Sequence, residues 1–183
     1  MKKINGLSKL FKEENINTKY RQNLYYLLAD VENESVKIEI ENGFFFWYNG
    51  TWENGIWLKG IWEKGTWSNG VWYNGTWKDG YWYSGTWRNG NWYSGTWNSG
   101  TWKNGAWING TWNSGTWEKG TWGNGTWKSG YWKSGIWNSG TWENGTWKSG
   151  TWEKGYILNK HTKRYEYSNL SPNEVEWSHS YQK

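Results

Sequence analysis

From Trp47 to Trp152 a tryptophan stands at every fifth residue without a miss, and a glycine keeps the same beat from Gly50 to Gly155. The unit reads T-W-x-x-G, as in Thr141-Trp142-Glu143-Asn144-Gly145. Of the 23 tryptophans in the chain, only Trp177 lies outside this array. The spacing excludes a helix. Five residues advance a helix by about 500°, so the indoles would spiral around its surface and form no stripe. A glycine in each unit would cost about 1 kcal/mol in a helix interior. A single long strand fails too, because a side-chain period of two sends tryptophans five apart to opposite faces. A corner in every unit removes the conflict: the chain turns and aims each indole at one axis.

The other positions agree with this geometry. The residue before tryptophan is mostly Thr; Ile56, Ile61, Val71, Tyr81, Asn91, Ala106, Tyr131 and Ile136 also stand there. Thr, Ile, Val and Tyr favour extended backbone. The two residues after it are mostly polar and run into Asn-Gly, Ser-Gly, Lys-Gly or Asp-Gly, which are turn dipeptides. Each unit is therefore a short extended segment plus a corner. The fold class is all-β: a repetitive solenoid or ribbon with an inward tryptophan ladder, flanked by non-repeat caps.

Residues 1–46 read as an N-terminal cap. Ser8 can cap a short helix through Asn15, and Thr18 a second over about 19–29 that carries Tyr20, Leu24, Leu27 and Leu28 on one stripe. Val36, Ile38 and Ile40 then alternate with Lys37, Glu39 and Glu41, the pattern of a half-buried strand. Asn42-Gly43 signals a hairpin, and Phe44–Tyr48 is the returning strand. After the array of residues 47–155, residues 156–183 form a C-terminal cap or docking segment. There Tyr156-Ile157-Leu158 extends the last rung, Asn159 to Arg164 reads as a polar turn, and Tyr165 and Tyr167 mark a last strand. Ser171-Pro172-Asn173-Glu174 resembles a helix start, with Val175, Trp177 and Tyr181 as apolar contacts.

The array resembles the pentapeptide-repeat proteins over residues 47–155, with tryptophan at the central position. The resemblance implies a right-handed four-sided β-helix in which the central residue and the residue two before it point inward. In Gly140-Thr141-Trp142-Glu143-Asn144, Gly140 and Trp142 would face in, and Thr141, Glu143 and Asn144 out. The G-x-W-x-x-G unit is also similar to MORN repeats, whose β-hairpins lie side by side in a ribbon. Their G-x-G element occurs here at Gly123-Asn124-Gly125. Four units per coil imply an array roughly 26 Å long, two units roughly 53 Å. Some pentapeptide-repeat proteins mimic DNA and bind topoisomerase, a role that needs an acidic surface; here the array is net +4.

The net charge of +5 is spread along the chain. Residues 1–46 carry seven basic and seven acidic groups, the array ten and six, and the tail four and three. No linear segment is a basic block, so a solubilising coat explains the charge and nucleic-acid binding is not expected. Cysteine is absent, which excludes disulfides and thiolate metal sites. His161 and His179 lie in the tail without a spaced carboxylate partner, and the six array carboxylates are isolated. The expectation is a protein that is not an enzyme, with no cofactor and no metal site. No apolar run reaches membrane-spanning length, and the basic start lacks the apolar stretch of a signal peptide. Synthesis and folding in a cytoplasm are expected. Tyr73, Tyr83 and Tyr93 follow tryptophans at a ten-residue interval, with Val71 and Tyr81 nearby. These five are the candidate interaction patch. The functional expectation is a structural and interaction protein of a phage virion (tail, fibre or baseplate), acting as a rigid spacer or attachment piece. Its partners would be other structural proteins docking at the two unlike ends, or a second copy of the chain. The alternative is a carbohydrate-binding module that uses exposed aromatic side chains.

Overall fold

In the computed structural model the described residues are 3–4, 30–41, 44–54, 56–57 and 60–176. They form a β-solenoid. Strand β1 (Lys3–Ile4) pairs antiparallel with β2 (Asp30–Glu41), and β2 with β3 (Phe44–Asn54). Short strands then follow at five-residue intervals, from β4 (Ile56–Trp57) to β23 (Thr151–Trp152). β24 (Gly155–Asn159) and β25 (Arg164–Ser168) close the series. The two short helices expected within 8–29 fall outside the described residues.

Every array strand pairs in parallel with the strand fifteen residues away: Thr86 with Thr101, Asn91 with Ala106, Thr96 with Thr111. A coil therefore holds three units. The solenoid is three-sided, where the pentapeptide-repeat likeness implied four sides, and the parallel ladders set aside a ribbon of antiparallel hairpins. Ten-residue coils are likewise absent from the described array. The physical difference lies at the corner. A three-sided coil must turn by a third of a circle at each glycine rather than a quarter. Each unit ties itself to the coil before it by two backbone bonds. Thr116 N donates to Gly100 O at 2.9 Å, and Glu118 N to Trp102 O at 2.7 Å.

Gly120 shows why the corner residue is glycine. Its φ is +127°, a region side-chain-bearing residues rarely enter, and a methyl group there would run into the carbonyl oxygen of Gly105 in the neighbouring coil. The glycine is thus a corner that lets two coils approach, and Gly140, expected to point inward, is a half-buried corner of the same kind.

The core is tryptophan. All 22 array indoles are buried, with Trp152 the most exposed at 8%. Along the axis each ring stacks on the ring fifteen residues away: Trp87 on Trp102 at 4.8 Å and 6°, Trp102 on Trp117 at 4.8 Å and 4°. Within a coil, neighbouring rings meet edge to face, as Trp102 and Trp107 do at 6.0 Å and 74°. Both geometries suit the aromatic quadrupole and contribute about 0.5–1.5 kcal/mol per pair beyond the area buried. Several indole N–H groups reach the corner above: Trp107 donates to Asn124 O at 3.2 Å and Trp132 to Ser149 O at 3.0 Å. Trp112 and Trp122 are aimed at the corresponding corners but have no acceptor within reach. The interior accepts these open donors in exchange for continuous ring stacking.

Both ends of the ladder are covered. β2 runs along β3, pairing Lys37 with Asn49 and Val31 with Trp52, with register shifts along the way. It thereby covers the outer edge of the first coil on the two sides that β3 supplies. The hairpin expected after Glu41 is formed, since Glu41 pairs with Phe44. At the far end β24 pairs parallel with Thr141–Trp142, placing Ile157 over Trp142. β25 folds back antiparallel on β24 around the polar turn expected from the sequence, pairing Asn159 with Arg164. The Trp152 indole donates to Ser168 O, and Asn173 Nδ2 donates to the open carbonyl of Trp147. The helix expected from Ser171 is a single turn over the described residues up to Glu176. Val175 N bonds Ser171 O at 3.2 Å, and Val175 packs against the core cluster.

Two variants test this core. Trp102→Ala should cost about 3–5 kcal/mol, because a large buried ring is lost from one stack and two edge contacts. Gly120→Ala should cost at least about 2 kcal/mol through backbone strain and coil separation. Lys103→Ala, on the exposed position next to Trp102, should stay within about 0.5 kcal/mol. Urea melts read all three; equal effects would refute the inside and outside assignment.

Candidate interaction surface

Three units per coil divide the outer surface into three faces. On the first, the strands from β4 to β22 (Thr146–Trp147) make a seven-stranded parallel sheet. The other two columns are joined through the β2–β3 hairpin into one larger sheet. Side chains on a face recur every fifteen residues, and this interval decides which candidates meet.

The five candidate patch residues divide among the faces. Val71 and Tyr73 lie on the first face, Tyr81 and Tyr83 on another, and Tyr93 on the remaining one. The ten-residue tyrosine interval is out of phase with the coil, so Tyr73, Tyr83 and Tyr93 form a girdle around the rod. The four tyrosines are exposed, from Tyr73 at 38% to Tyr81 at 56%, and Val71 is half-buried. The Arg88 guanidinium lies 4.5 Å above the Tyr73 ring centre, one coil on, and occupies that ring's face. Tyr93 has the exposed Ile108 as its neighbour in the next coil.

Ladders of like residues run along the faces. Asn113 Nδ2 donates to Asn98 Oδ1 at 2.7 Å, and Ser114 Oγ to Asn98 O at 2.9 Å. Glu118 sits between Lys133 at 3.5 Å and Lys103 at 4.0 Å on the first face. Lys78 meets Glu63 at 2.8 Å on another face. These pairs are solvent-exposed, and each contributes about 0–1 kcal/mol.

A second aromatic cluster sits at the C-terminal hairpin. Tyr156, Tyr165, Tyr167 and Leu170 are at least half exposed, and the Tyr156 and Tyr167 rings meet edge to face at 5.7 Å. The sequence supplies strand-forming tyrosines here but no sign that all of them stay outside. Tyr165 donates its hydroxyl to Glu143 Oε1 at 3.0 Å. That bond, then burial and the carboxylate charge, raise the phenol above its ordinary value. Nearby, Ser171 donates both its hydroxyl and its backbone N–H to Glu174, at 2.7 and 3.0 Å, which holds this exposed carboxyl below its ordinary value. A cleft of about 540 Å³ opens between this turn and the last coil, lined among others by Trp147, Lys148, Trp152, Asn173 and Glu174.

Among the described residues no group of three or more His, Asp or Glu side chains is placed to hold a metal, and no helix is long and apolar enough to cross a membrane. The 22 array indoles lie inside and offer no stacking platform. No family model, curated protein or solved structure matches this chain. The class is therefore defined by geometry: a three-sided β-solenoid whose described residues are strands, corners and turns, similar to pentapeptide-repeat folds in its five-residue unit and different in its coil.

The two perturbed groups give a pH test. The Glu174 carboxylate is favoured in the folded turn, so its contribution is fully present above the ordinary carboxylate value and is lost as pH falls through the lowered one. The neutral Tyr165 phenol is favoured in the folded chain, so its contribution is present below the ordinary phenol value and is lost as pH rises through the raised one. NMR should show Glu174 titrating lower in the wild type than in Ser171→Ala. Ultraviolet titration should show Glu143→Gln moving Tyr165 back down. Unchanged titrations in both variants would mean that neither contact forms in solution.

Proposed function

We propose that the chain is a structural and interaction component that serves as a rigid spacer or attachment piece of a phage particle. The observation that carries the reading is the core. Every unit of the array commits its one inward side chain to the same stack, so the interior of the described array is filled by indoles rather than by convergent polar groups. What the array provides is a fixed separation. Trp47 and Trp152 are seven coils apart, roughly 34 Å at about 4.8 Å per coil. Such a rod resists bending because each coil is tied to the next by ladders on three sides. Its two ends are unlike: a long antiparallel hairpin at one, a short hairpin with exposed tyrosines at the other. Unlike ends suit docking to different neighbours, and the tyrosine girdle suits contact with another copy.

Mass spectrometry of purified particles from the source tests the placement. Recovery of the chain at a fixed ratio to the major structural proteins is the expected result. Its absence from particles, with the protein present in the lysate, overturns the assignment.

A further inference from the structure

Charge that is spread along the sequence is gathered by the coil. Residues 60–154 carry nine basic and five acidic side chains. On the first face and its corner stand Arg88, Lys103, Lys119, Lys133 and Lys148 against Glu118 alone. The second face balances Lys64, Lys78 and Lys154 with Glu63, Asp79 and Glu153, and the third balances Lys128 with Glu143. The whole net charge of +4 in this stretch is thus on one side of the rod. The five cations are all exposed. Glu118 is held between Lys103 and Lys133, while Lys119 and Lys148 make no ion pair among the described residues.

We infer that this face binds a linear acidic polysaccharide, a uronic-acid polymer laid along the solenoid axis. Three features fit that ligand. The coils of this face repeat at 4.7–4.9 Å, measured on its stacked rings. A uronan presents one carboxylate per sugar ring, and a ring is about as long as that repeat. Along the exposed column, Arg88, Lys103, Lys133 and Lys148 place a cation in four of five successive coils; the coil between them carries Glu118, with Lys119 beside it at the corner. Beside the cations run the neutral groups that sugar hydroxyls need. Thr86, Thr101 and Thr116 precede the indoles, and Asn89 and Asn104 occupy the corners, where Asn104 Nδ2 donates to Asn89 Oδ1 at 3.4 Å. A nucleic acid fits less well. Sites for single strands interleave cations with free aromatic faces for the bases. Here the Tyr73 ring is covered by Arg88, and Tyr131 is half-buried. The inference stands whether or not the rod is built into a particle.

The purified chain is titrated with polygalacturonate, neutral dextran and oligo-dT at about 50 and about 200 mM salt, where charge-driven binding separates from the rest. Two triple variants are compared. One is Lys103→Gln, Lys133→Gln and Lys148→Gln on the basic face. The other is Lys64→Gln, Lys128→Gln and Lys154→Gln on the other faces. Both remove three charges, and all six sites are exposed, so circular dichroism should show both folded. The expected result is polygalacturonate binding that weakens with salt, about tenfold or more loss in the basic-face variant, and less than about twofold loss in the control. Dextran should not bind. Equal loss in both variants would reduce the effect to overall charge and overturn the site. Tighter binding of oligo-dT through the same lysines would assign the face to nucleic acid and overturn the polysaccharide. No binding of any polymer at the lower salt would overturn the inference outright.

Discussion

The structure depends on one register: ring over ring at an interval of fifteen residues. Trp102 stacks between Trp87 and Trp117, both at 4.8 Å and within a few degrees of parallel. That spacing equals the distance between hydrogen-bonded strands. The backbone ladder and the indole stack therefore ask for the same coil rise, and neither has to be strained to satisfy the other. The glycine corner completes the agreement, since only a residue without a side chain at Gly120 lets the coil settle onto Gly105. Local conformation, ladder and core point to one geometry, which is the condition for a sequence to specify a single fold.

A solenoid built this way stands on nearest-neighbour terms. Each interior coil meets the same ring contacts and the same backbone bonds on both sides, so its stability belongs to the interfaces it shares. The terminal coils lack one interface. The chain compensates with unlike devices: β2 paired along β3, Ile157 in place of an indole over Trp142, and Asn173 on the free carbonyl of Trp147. Burial relaxes towards the C-terminal end, from none exposed at Trp137 through 3% at Trp147 to 8% at Trp152. Unfolding is expected to begin where an interface is missing, and the caps set how readily it does.

Much of this was legible from residue types. The unbroken beat of tryptophan and glycine excludes helix and plain strand, and it places the indoles inside; Phe44–Tyr48 and Tyr165–Tyr167 announce their strands by composition. The number of sides was not legible, because a glycine only states that the backbone may turn. The angle follows from φ values such as +127° at Gly120 and from how three indoles close a layer edge to face. The turn at Ser171 shows a second kind of limit. Its Ser and Glu satisfy each other as in a helix start, yet the described chain continues for one turn.

The arrangement of the candidate surface follows from the coil number. Tyr73, Tyr83 and Tyr93 recur at ten residues in the sequence, and with fifteen residues per coil they occupy three faces. Charge behaves in the opposite way. Arg88, Lys103, Lys133 and Lys148 stand among acidic and neutral residues in the linear chain, and no window of sequence looks basic. Counted at fifteen, they align. In a fold whose core is the same in every unit, selection on the exterior can act on one residue in fifteen without disturbing the stack beneath. A face acquires a chemical character through substitutions that are remote in sequence and adjacent in space. The coil number, which the core sets, thus decides what the outside of the rod can recognise.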